Sequence, residues 1–304
     1  MQSLFVGAGV AIITPFDKDG QIDFERFSKL IEFQITNKTD AIIVCGTTGE
    51  GSTLSVKERL ELFSYTAERV HGRVPVIGGT GSNSTFFTRD LAVEAEKTGI
   101  DAHLIVTPYY NKTSQVGLIK HYNFLADRLS KPIIIYNVPS RTGMNIQPET
   151  YQKLSVHPNI IAVKEADPNI TKLIKSIKLC NDNLDFYIGN DDLITTSAYI
   201  GAKGVISVLS NILPAYTHDM TLAAVNCQIS KANEMQSDVL ELIETIFCDV
   251  NPIPIKAAMK TLGYDIGYLR GPLCELSDDK YNKLLTVLYK YHSLFTAENR
   301  NNLI

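Results

Sequence analysis

Lys164 is the residue whose place in the sequence most directly suggests covalent chemistry. It follows the short apolar, β-branched run 160–163, which is typical of a buried strand in a parallel sheet. A lysine at such a strand end is unusual, because an ammonium group is costly to desolvate. An amine held in a pocket can act as a nucleophile and form an imine with a carbonyl substrate. The alternative is that Lys164 extends past the strand end and keeps its ammonium in water.

Other polar residues stand where apolar runs end. They are Thr14, Thr47, Thr48, Tyr109, Tyr110, Tyr136, Arg141 and Gly189. Gly46 and Gly49 flank two threonines, so this loop offers backbone amides that could bind a carboxylate. Arg141 could bind a second carboxylate through two parallel hydrogen bonds. Thr47 could bridge two tyrosine hydroxyls and relay a proton.

Each of these residues also has an ordinary structural interpretation. Tyr136 could lie at the edge of the core with its hydroxyl satisfied. Arg141 could be a solvated loop charge, and the run 46–50 could be only a tight turn. Their shared placement, after the second, fourth, fifth and sixth apolar runs, favours one common site.

The elements that must position these residues alternate regularly. Predicted strands at 10–13, 41–45, 75–78, 102–106, 132–136, 160–163, 186–188 and 204–208 are each followed by a helical pattern. Such alternation implies a parallel sheet, and eight repeats favour a closed (β/α)8 TIM barrel over an open sheet. No G-x-G-x-x-G motif follows the first strand, which argues against dinucleotide binding.

Only helical patterns follow residue 229. The predicted helices are 232–247, 253–262 and 278–294, separated by segments rich in proline and glycine. The sequence therefore predicts a catalytic barrel at 1–229 and a small all-helical C-terminal domain at 230–304. Within the barrel, Asp23 is the predicted N-cap of the first helix, and Ser55 with Glu58 forms a predicted capping box.

Composition excludes several classes of protein. The chain has 304 residues, is 44% hydrophobic and carries a net charge of -4. This mild acidity, without a Lys/Arg cluster, argues against nucleic-acid binding. No apolar run approaches the roughly 20 residues needed to cross a membrane, and 1–9 lack signal-peptide features. Five scattered cysteines and six dispersed histidines favour free thiols in the cytoplasm and no metal site.

Five motifs, in this order, resemble the pyruvate-dependent class I aldolases, the family of dihydrodipicolinate synthase and N-acetylneuraminate lyase. The motifs are GTTGE at 46–50, TPYYN at 107–111, YNVPSRTG at 136–143, VKEA at 163–166 and GVIS at 204–207. The resemblance covers essentially the whole chain. It implies a TIM barrel, a homotetramer built from two tight dimers, and no cofactor other than the covalent imine.

The resemblance also implies a reaction, in which pyruvate condenses with L-aspartate 4-semialdehyde to give 4-hydroxy-tetrahydrodipicolinate for lysine and diaminopimelate biosynthesis. Lys164 would form the imine with pyruvate, and Tyr136 would be the general acid and base beside it. Thr47 would link Tyr136 to Tyr110, which would come from the neighbouring subunit and complete a proton relay.

The remaining implied roles concern substrate binding. Thr48, with Thr47, would hold the pyruvate carboxylate, and Arg141 would bind the carboxylate of the semialdehyde. The carbonyl of Ile206 would line the site, and Gly189 would leave room beside it. Sialic acid lyases lack this arginine, so Arg141 favours the synthase. The alternatives are a 2-keto-3-deoxy sugar acid aldolase and a non-catalytic binding protein on the same barrel.

A regulatory expectation also follows from the resemblance. Relatives that respond to lysine hold its amine with an acidic side chain at the position of Phe87, and use histidines at the positions of Val56 and Arg59. Only Asn83 and Tyr109 of that pocket are kept here. Without a counter-charge, an ammonium ligand is costly to bind, so we expect lysine to inhibit weakly or not at all. The alternative is that another carboxylate, Asp90 or Glu50, reaches the pocket and restores binding.

Overall fold

The sheet is a closed barrel of eight parallel strands in sequence order, in a computed structural model that describes residues 3–295. The strands are β1 Gly7–Ala11, β2 Ala41–Val44, β3 Val76–Gly79, β4 Ala102–Val106, β5 Ile133–Asn137, β6 Ile160–Glu165, β7 Asp185–Ile188 and β8 Gly204–Ser207. Pairing of β1 with β8 closes the barrel, with Gly9 opposite Ile206. The predicted (β/α)8 architecture is confirmed.

Helices follow every strand and then continue alone. They are α1 Phe24–Thr36, α2 Val56–Val70, α3 Thr85–Glu96, α4 Gln115–Ala126, α5 Pro139–Thr142, α6 Pro148–Leu154, α7 Ile170–Cys180, α8 Ile194–Tyr199, α9 Pro214–Val225, α10 Ile229–Asp238, α11 Leu240–Ile246, α12 Ile253–Thr261 and α13 Asp278–Lys290. None of these helices, within the part of the chain described, has the length and apolar content that a membrane span requires.

Two predicted helix starts are confirmed by their capping contacts. The Asp23 side chain accepts a hydrogen bond from the backbone N–H of Arg26 at 2.9 Å. Ser55 and Glu58 form the reciprocal capping box, each side chain accepting from the backbone of the other. These local bonds satisfy N–H groups that have no partner within the helix, so they fix where α1 and α2 begin.

The first strand lies earlier than the predicted 10–13. It ends at Ala11, and although the N–H of Ile12 still donates to the carbonyl of Ile43, that of Ile13 donates to Asn211 Oδ1 at 3.1 Å. A side chain therefore replaces the neighbouring strand as hydrogen-bond partner. The apolar run continues beyond the strand because these residues are buried, and burial alone does not distinguish strand from loop.

The predicted helix at 232–247 is two helices, α10 and α11. Val239 stands between them with φ −109° and ψ 5°, outside the helical range, and its side chain is fully buried. Neither glycine nor proline marks this break, so tertiary packing causes it. The division of the chain at residue 229 stays a prediction.

The barrel interior is filled with side chains at its amino end. Phe5 stacks on Tyr187 with ring centroids 4.2 Å apart, and the Tyr187 hydroxyl donates to the Phe5 carbonyl at 2.7 Å. Above them the interior cluster includes Ala11, Ile43, Ile77, Leu104, Ile134, Ala162 and Ile206. The opposite end, where the strands finish, is therefore where a substrate could enter.

Candidate active site

Lys164 and Tyr136 face each other at the carboxyl ends of β6 and β5. They are register partners in the sheet, and the Lys164 amine lies 4.6 Å from the centroid of the Tyr136 ring. Only 6% of Lys164 and 7% of Tyr136 is exposed. The alternative in which the ammonium extends into water therefore does not hold. A cation over an aromatic face is favourable, and more so when water is excluded.

The neighbouring residues on the same two strands point outwards and brace the strand ends. Asn137 donates to Glu165 Oε1 at 2.7 Å, and the Tyr151 hydroxyl donates to Oε2 at 2.8 Å. Burial raises the pKa of the Glu165 carboxyl, an effect that the ammonium of Lys172, 3.5 Å away, opposes. Because side chains alternate along a strand, this buried cluster fixes the backbone from which Lys164 projects inwards.

The threonine loop 46–50 lies against the end of the barrel. Thr48 is buried and Thr47 is half-buried. The Thr14 hydroxyl donates to the carbonyl of Gly49 at 2.7 Å, which ties the loop to the segment after β1. At Gly79, a Cβ atom would lie 2.3 Å from the carbonyl oxygen of Cys45, so only glycine allows β3 to approach this closely.

A cavity of about 290 Å³ opens at this end of the barrel. Its lining brings together Thr47, Tyr109, Tyr136 and Arg141, with Cys45, Gly46, Gly79, Leu104 and Val106 among the other lining residues. The cavity thus unites residues that follow β2, β4 and β5. Lys164 lies beside it, next to Tyr136.

Arg141 belongs to the four-residue helix α5, in a segment that was predicted to be a loop. Its Nη2 donates to the backbone carbonyl of Asn251 at 3.0 Å, and Asn251 Nδ2 donates to the Thr48 hydroxyl at 2.9 Å. Asn251 therefore bridges the arginine and the threonine loop. Sequence reasoning missed this residue, because Asn251 lies more than 200 residues from Thr48, in a segment whose only signal was adjacent prolines.

Tyr110 stands apart from the cavity of its own chain. Its backbone has φ 70°, and 91% of the residue is exposed. A left-handed conformation is uncommon for a residue with a side chain and here directs a large aromatic group away from the core. The relay of Tyr136, Thr47 and Tyr110 is thus not assembled among the described residues of one chain, which is what a contribution from a neighbouring subunit requires.

Gly189 follows β7 and lies against the lysine. A Cβ atom at this position would be 3.0 Å from both Lys164 Cε and the Ala166 side chain, closer than most real contacts. The backbone N–H of Gly189 donates to the carbonyl of Glu165 at 2.7 Å, so this segment cannot easily move away. Ile206, the other predicted site residue, is fully buried in β8.

The structure also describes the residues at the positions where lysine-sensitive relatives are expected to bind lysine. Phe87 and Val56 are exposed, and the guanidinium of Arg59 donates to the carbonyl of Gly51 at 2.5 Å. Weak inhibition by lysine stays a prediction. Across residues 3–295, no three His, Cys, Asp or Glu side chains are grouped so that they could hold a metal ion.

Residues 4–290 match the model of the Dihydrodipicolinate synthetase family. The chain is 48% identical to 4-hydroxy-tetrahydrodipicolinate synthase 1 of Clostridium acetobutylicum, over 95% of this chain and 98% of that protein. The solved dihydrodipicolinate synthase of Aquifex aeolicus matches with a TM-score of 0.93 at 40% identity, covering 96% of this chain and all of its own. That of Acinetobacter baumannii, solved in complex with pyruvate, has a TM-score of 0.92 at 36% identity, covering 93% and 98% of the two chains.

Replacing Gly189 tests the space around the lysine. Gly189→Ala should slow formation of the expected borohydride-trapped pyruvate adduct at Lys164 by up to about 100-fold, because a displacement of about 1 Å of a reacting group has effects of this order. The control is Gly271→Ala, where an added Cβ meets no atom within 4 Å. Equal adduct rates in the two variants, measured by mass spectrometry, would show that Lys164 tolerates the extra methyl group.

Proposed function

The chain belongs to the dihydrodipicolinate synthetase family, and from that premise we propose that Lys164 binds pyruvate as a covalent imine. The enzyme is a lyase of lysine and diaminopimelate biosynthesis that condenses pyruvate with L-aspartate 4-semialdehyde to 4-hydroxy-tetrahydrodipicolinate. The observation that carries the proposal is the buried amine of Lys164, 4.6 Å from the ring of Tyr136.

The chemistry divides into four steps. The amine of Lys164 adds to the keto carbon of pyruvate, and loss of water gives the iminium. This cation accepts electrons when a methyl proton leaves, so an enamine forms. The enamine carbon attacks the aldehyde and makes the new carbon–carbon bond. The amino group of the second substrate then displaces Lys164 from the imine carbon and closes the ring.

Tyr136 is the general acid and base in these steps. Its buried ring lies 4.6 Å from the amine of Lys164, which supports a role for its hydroxyl where protons are lost and gained. Thr47 lines the same cavity and would pass the proton outwards. No cofactor is required, since the iminium itself accepts the electrons.

The two substrates each bring one carboxylate. The backbone amides of Thr47 and Thr48 would bind the carboxylate of pyruvate, close to Lys164. Arg141, in the wall of the cavity, would bind the carboxylate of the semialdehyde. The carbonyl of Ile206 would complete the pyruvate site from β8.

The assembly proposed is a homotetramer of two tight dimers in the cytoplasm, with Tyr110 acting in the site of the neighbouring subunit. Its exposure and left-handed backbone in the single chain support this, because they direct the side chain away from its own barrel and leave it free to reach another subunit. We also propose that the chain is divided into a catalytic barrel and a small helical C-terminal domain.

Two other functions fit this site less well. A sugar acid aldolase of the same family would need neutral partners for hydroxyl groups, and the guanidinium of Arg141 in the cavity wall disfavours it. A non-catalytic binding protein would have no use for a buried amine beside a tyrosine. The named relatives support the synthase over both.

Borohydride reduction in the presence of pyruvate should add one pyruvate-derived mass to each chain, located at Lys164 by peptide mapping. The imine is reducible, and the amine is held where a carbonyl could reach it. Lys164→Ala should show no adduct, whereas Lys153→Ala, at an exposed lysine of α6, should behave as the wild type. An adduct that persists in Lys164→Ala would assign the chemistry to another residue.

Arg141→Ala should weaken use of the semialdehyde much more than trapping of pyruvate. A charge-assisted contact to a carboxylate contributes about 1.5–3 kcal/mol, so kcat/KM for the semialdehyde should fall by roughly 10- to 100-fold. Arg69→Ala, which removes an arginine that pairs with Glu32 on the outer surface, is the control. Equal loss of pyruvate trapping would mean that Arg141 has a structural role.

Mixed oligomers should locate Tyr110. Lys164→Ala and Tyr110→Phe subunits are each expected to be nearly inactive, but a heterodimer of the two contains one site with both native residues. Activity should therefore return when the variants are mixed under conditions that exchange subunits. Absence of activity in heterodimers isolated through two affinity tags would place the relay within one chain.

A further inference from the structure

The buried ion pair between Lys256 and Glu50 joins the helical region to the threonine loop. The Lys256 amine lies 2.5 Å from Glu50 Oε1, and only 2% and 0% of the two side chains are exposed. Lys256 belongs to α12, whereas Glu50 is the last residue of the loop 46–50. Taking two charges out of water is costly, so such a pair adds little net stability compared with apolar residues of similar volume. A contribution to stability therefore does not explain why this ion pair is buried here.

The groups around the pair leave little freedom to either partner. The Lys256 amine also donates to the carbonyl of Tyr268 at 2.7 Å and lies 4.7 Å from the centroid of the Phe16 ring. Glu50 Oε2 accepts from the backbone N–H of Arg270 at 3.0 Å. Burial lowers the pKa of the Lys256 ammonium, and the Glu50 carboxylate opposes that change. Both carboxylate oxygens are therefore held by groups from the C-terminal part of the chain.

Glu50 transmits this restraint directly to the threonines. Its backbone is left-handed, with φ 54° and ψ 32°, a region that residues with side chains seldom adopt. Its N–H donates to the carbonyl of Thr47 at 3.1 Å, and the N–H of Gly51 donates to the carbonyl of Gly46 at 3.0 Å. The loop is thus a closed turn whose strained final residue is anchored through its side chain. Release of that anchor would let Thr47 and Thr48 shift.

We propose that Lys256 is a positioning residue for the pyruvate site: through Glu50 it holds Thr47 and Thr48 in the conformation that receives the pyruvate carboxylate. The inference rests on the proposed function, in which these two threonines bind that carboxylate. Lys256 is not among the described residues that line the active-site cavity, so it acts only through the loop. Loss of the ion pair should therefore weaken pyruvate binding more than the contact of Arg141, which is held by Asn251, with the second substrate.

Removing one or both charges distinguishes an effect on the position of the threonine loop from an effect on the stability of the protein. Lys256→Met leaves Glu50 buried and unpaired, so both the Tm and the affinity for pyruvate should fall. Lys256→Met combined with Glu50→Gln removes both charges at similar volume and keeps an acceptor for Arg270, so most of the Tm should return. The KM for pyruvate should nevertheless stay raised by about tenfold, since the loop keeps its bonds to Arg270, Thr14 and Asn251 but has lost the one to Lys256.

The matched control is Lys260→Met, one turn further along α12. Lys260 is 63% exposed and lies 3.5 Å from Glu275, so removing its charge should change neither Tm nor KM. If Lys256→Met does not fold, Glu50→Gln and the double variant carry the comparison. Recovery of both Tm and pyruvate KM in the double variant would reduce the ion pair to a structural role and overturn the inference. Failure of the wild type to trap pyruvate at Lys164 would instead overturn the proposed function.

Discussion

The constraint on which this structure depends is a lysine ammonium held out of water at the mouth of a packed barrel. Lys164 is almost fully buried, and the carboxylate that its charge influences, that of the buried Asp191, is not in direct ion-pair contact with it among the described residues. Its amine lies instead over the aromatic face of Tyr136. A cation so placed is tolerated only if the surrounding backbone cannot relax and admit water. The rigid elements around the site meet that condition.

Two buried charged clusters supply this rigidity from opposite sides. Behind the lysine, Glu165 gathers hydrogen bonds from Asn137 and Tyr151 and fixes the ends of two strands. On the other side, Glu50 and Lys256 fix the loop whose amides we propose bind the pyruvate carboxylate. Polar clusters of this kind specify one arrangement because every alternative leaves a buried charge unsatisfied.

Local patterns in the sequence were sufficient for the barrel, the helix caps and the convergence of strand-end residues at one site, because strand ends in a parallel sheet meet at one edge. The place of Tyr136 beside Lys164 came from the family resemblance. They were insufficient for Asn251 and Lys256. These residues contact the threonine loop from 203 and 206 positions away, and no periodicity or spacing reports such contacts. The break at Val239 was missed for a related reason, since packing rather than a glycine or proline interrupts the helix.

The large sequence separation of these two contacts determines when the threonine loop is anchored during synthesis of the chain. Residues 46–50 emerge from the ribosome about 200 residues before Asn251 and Lys256, so the nascent barrel carries a threonine loop without its anchors. Closing contacts of such sequence separation is slow compared with local helix formation. The proposed binding site for the first substrate is therefore completed only after residue 256 has been synthesised, and a chain truncated before Asn251 contains Lys164 but lacks these two groups that hold the threonine loop.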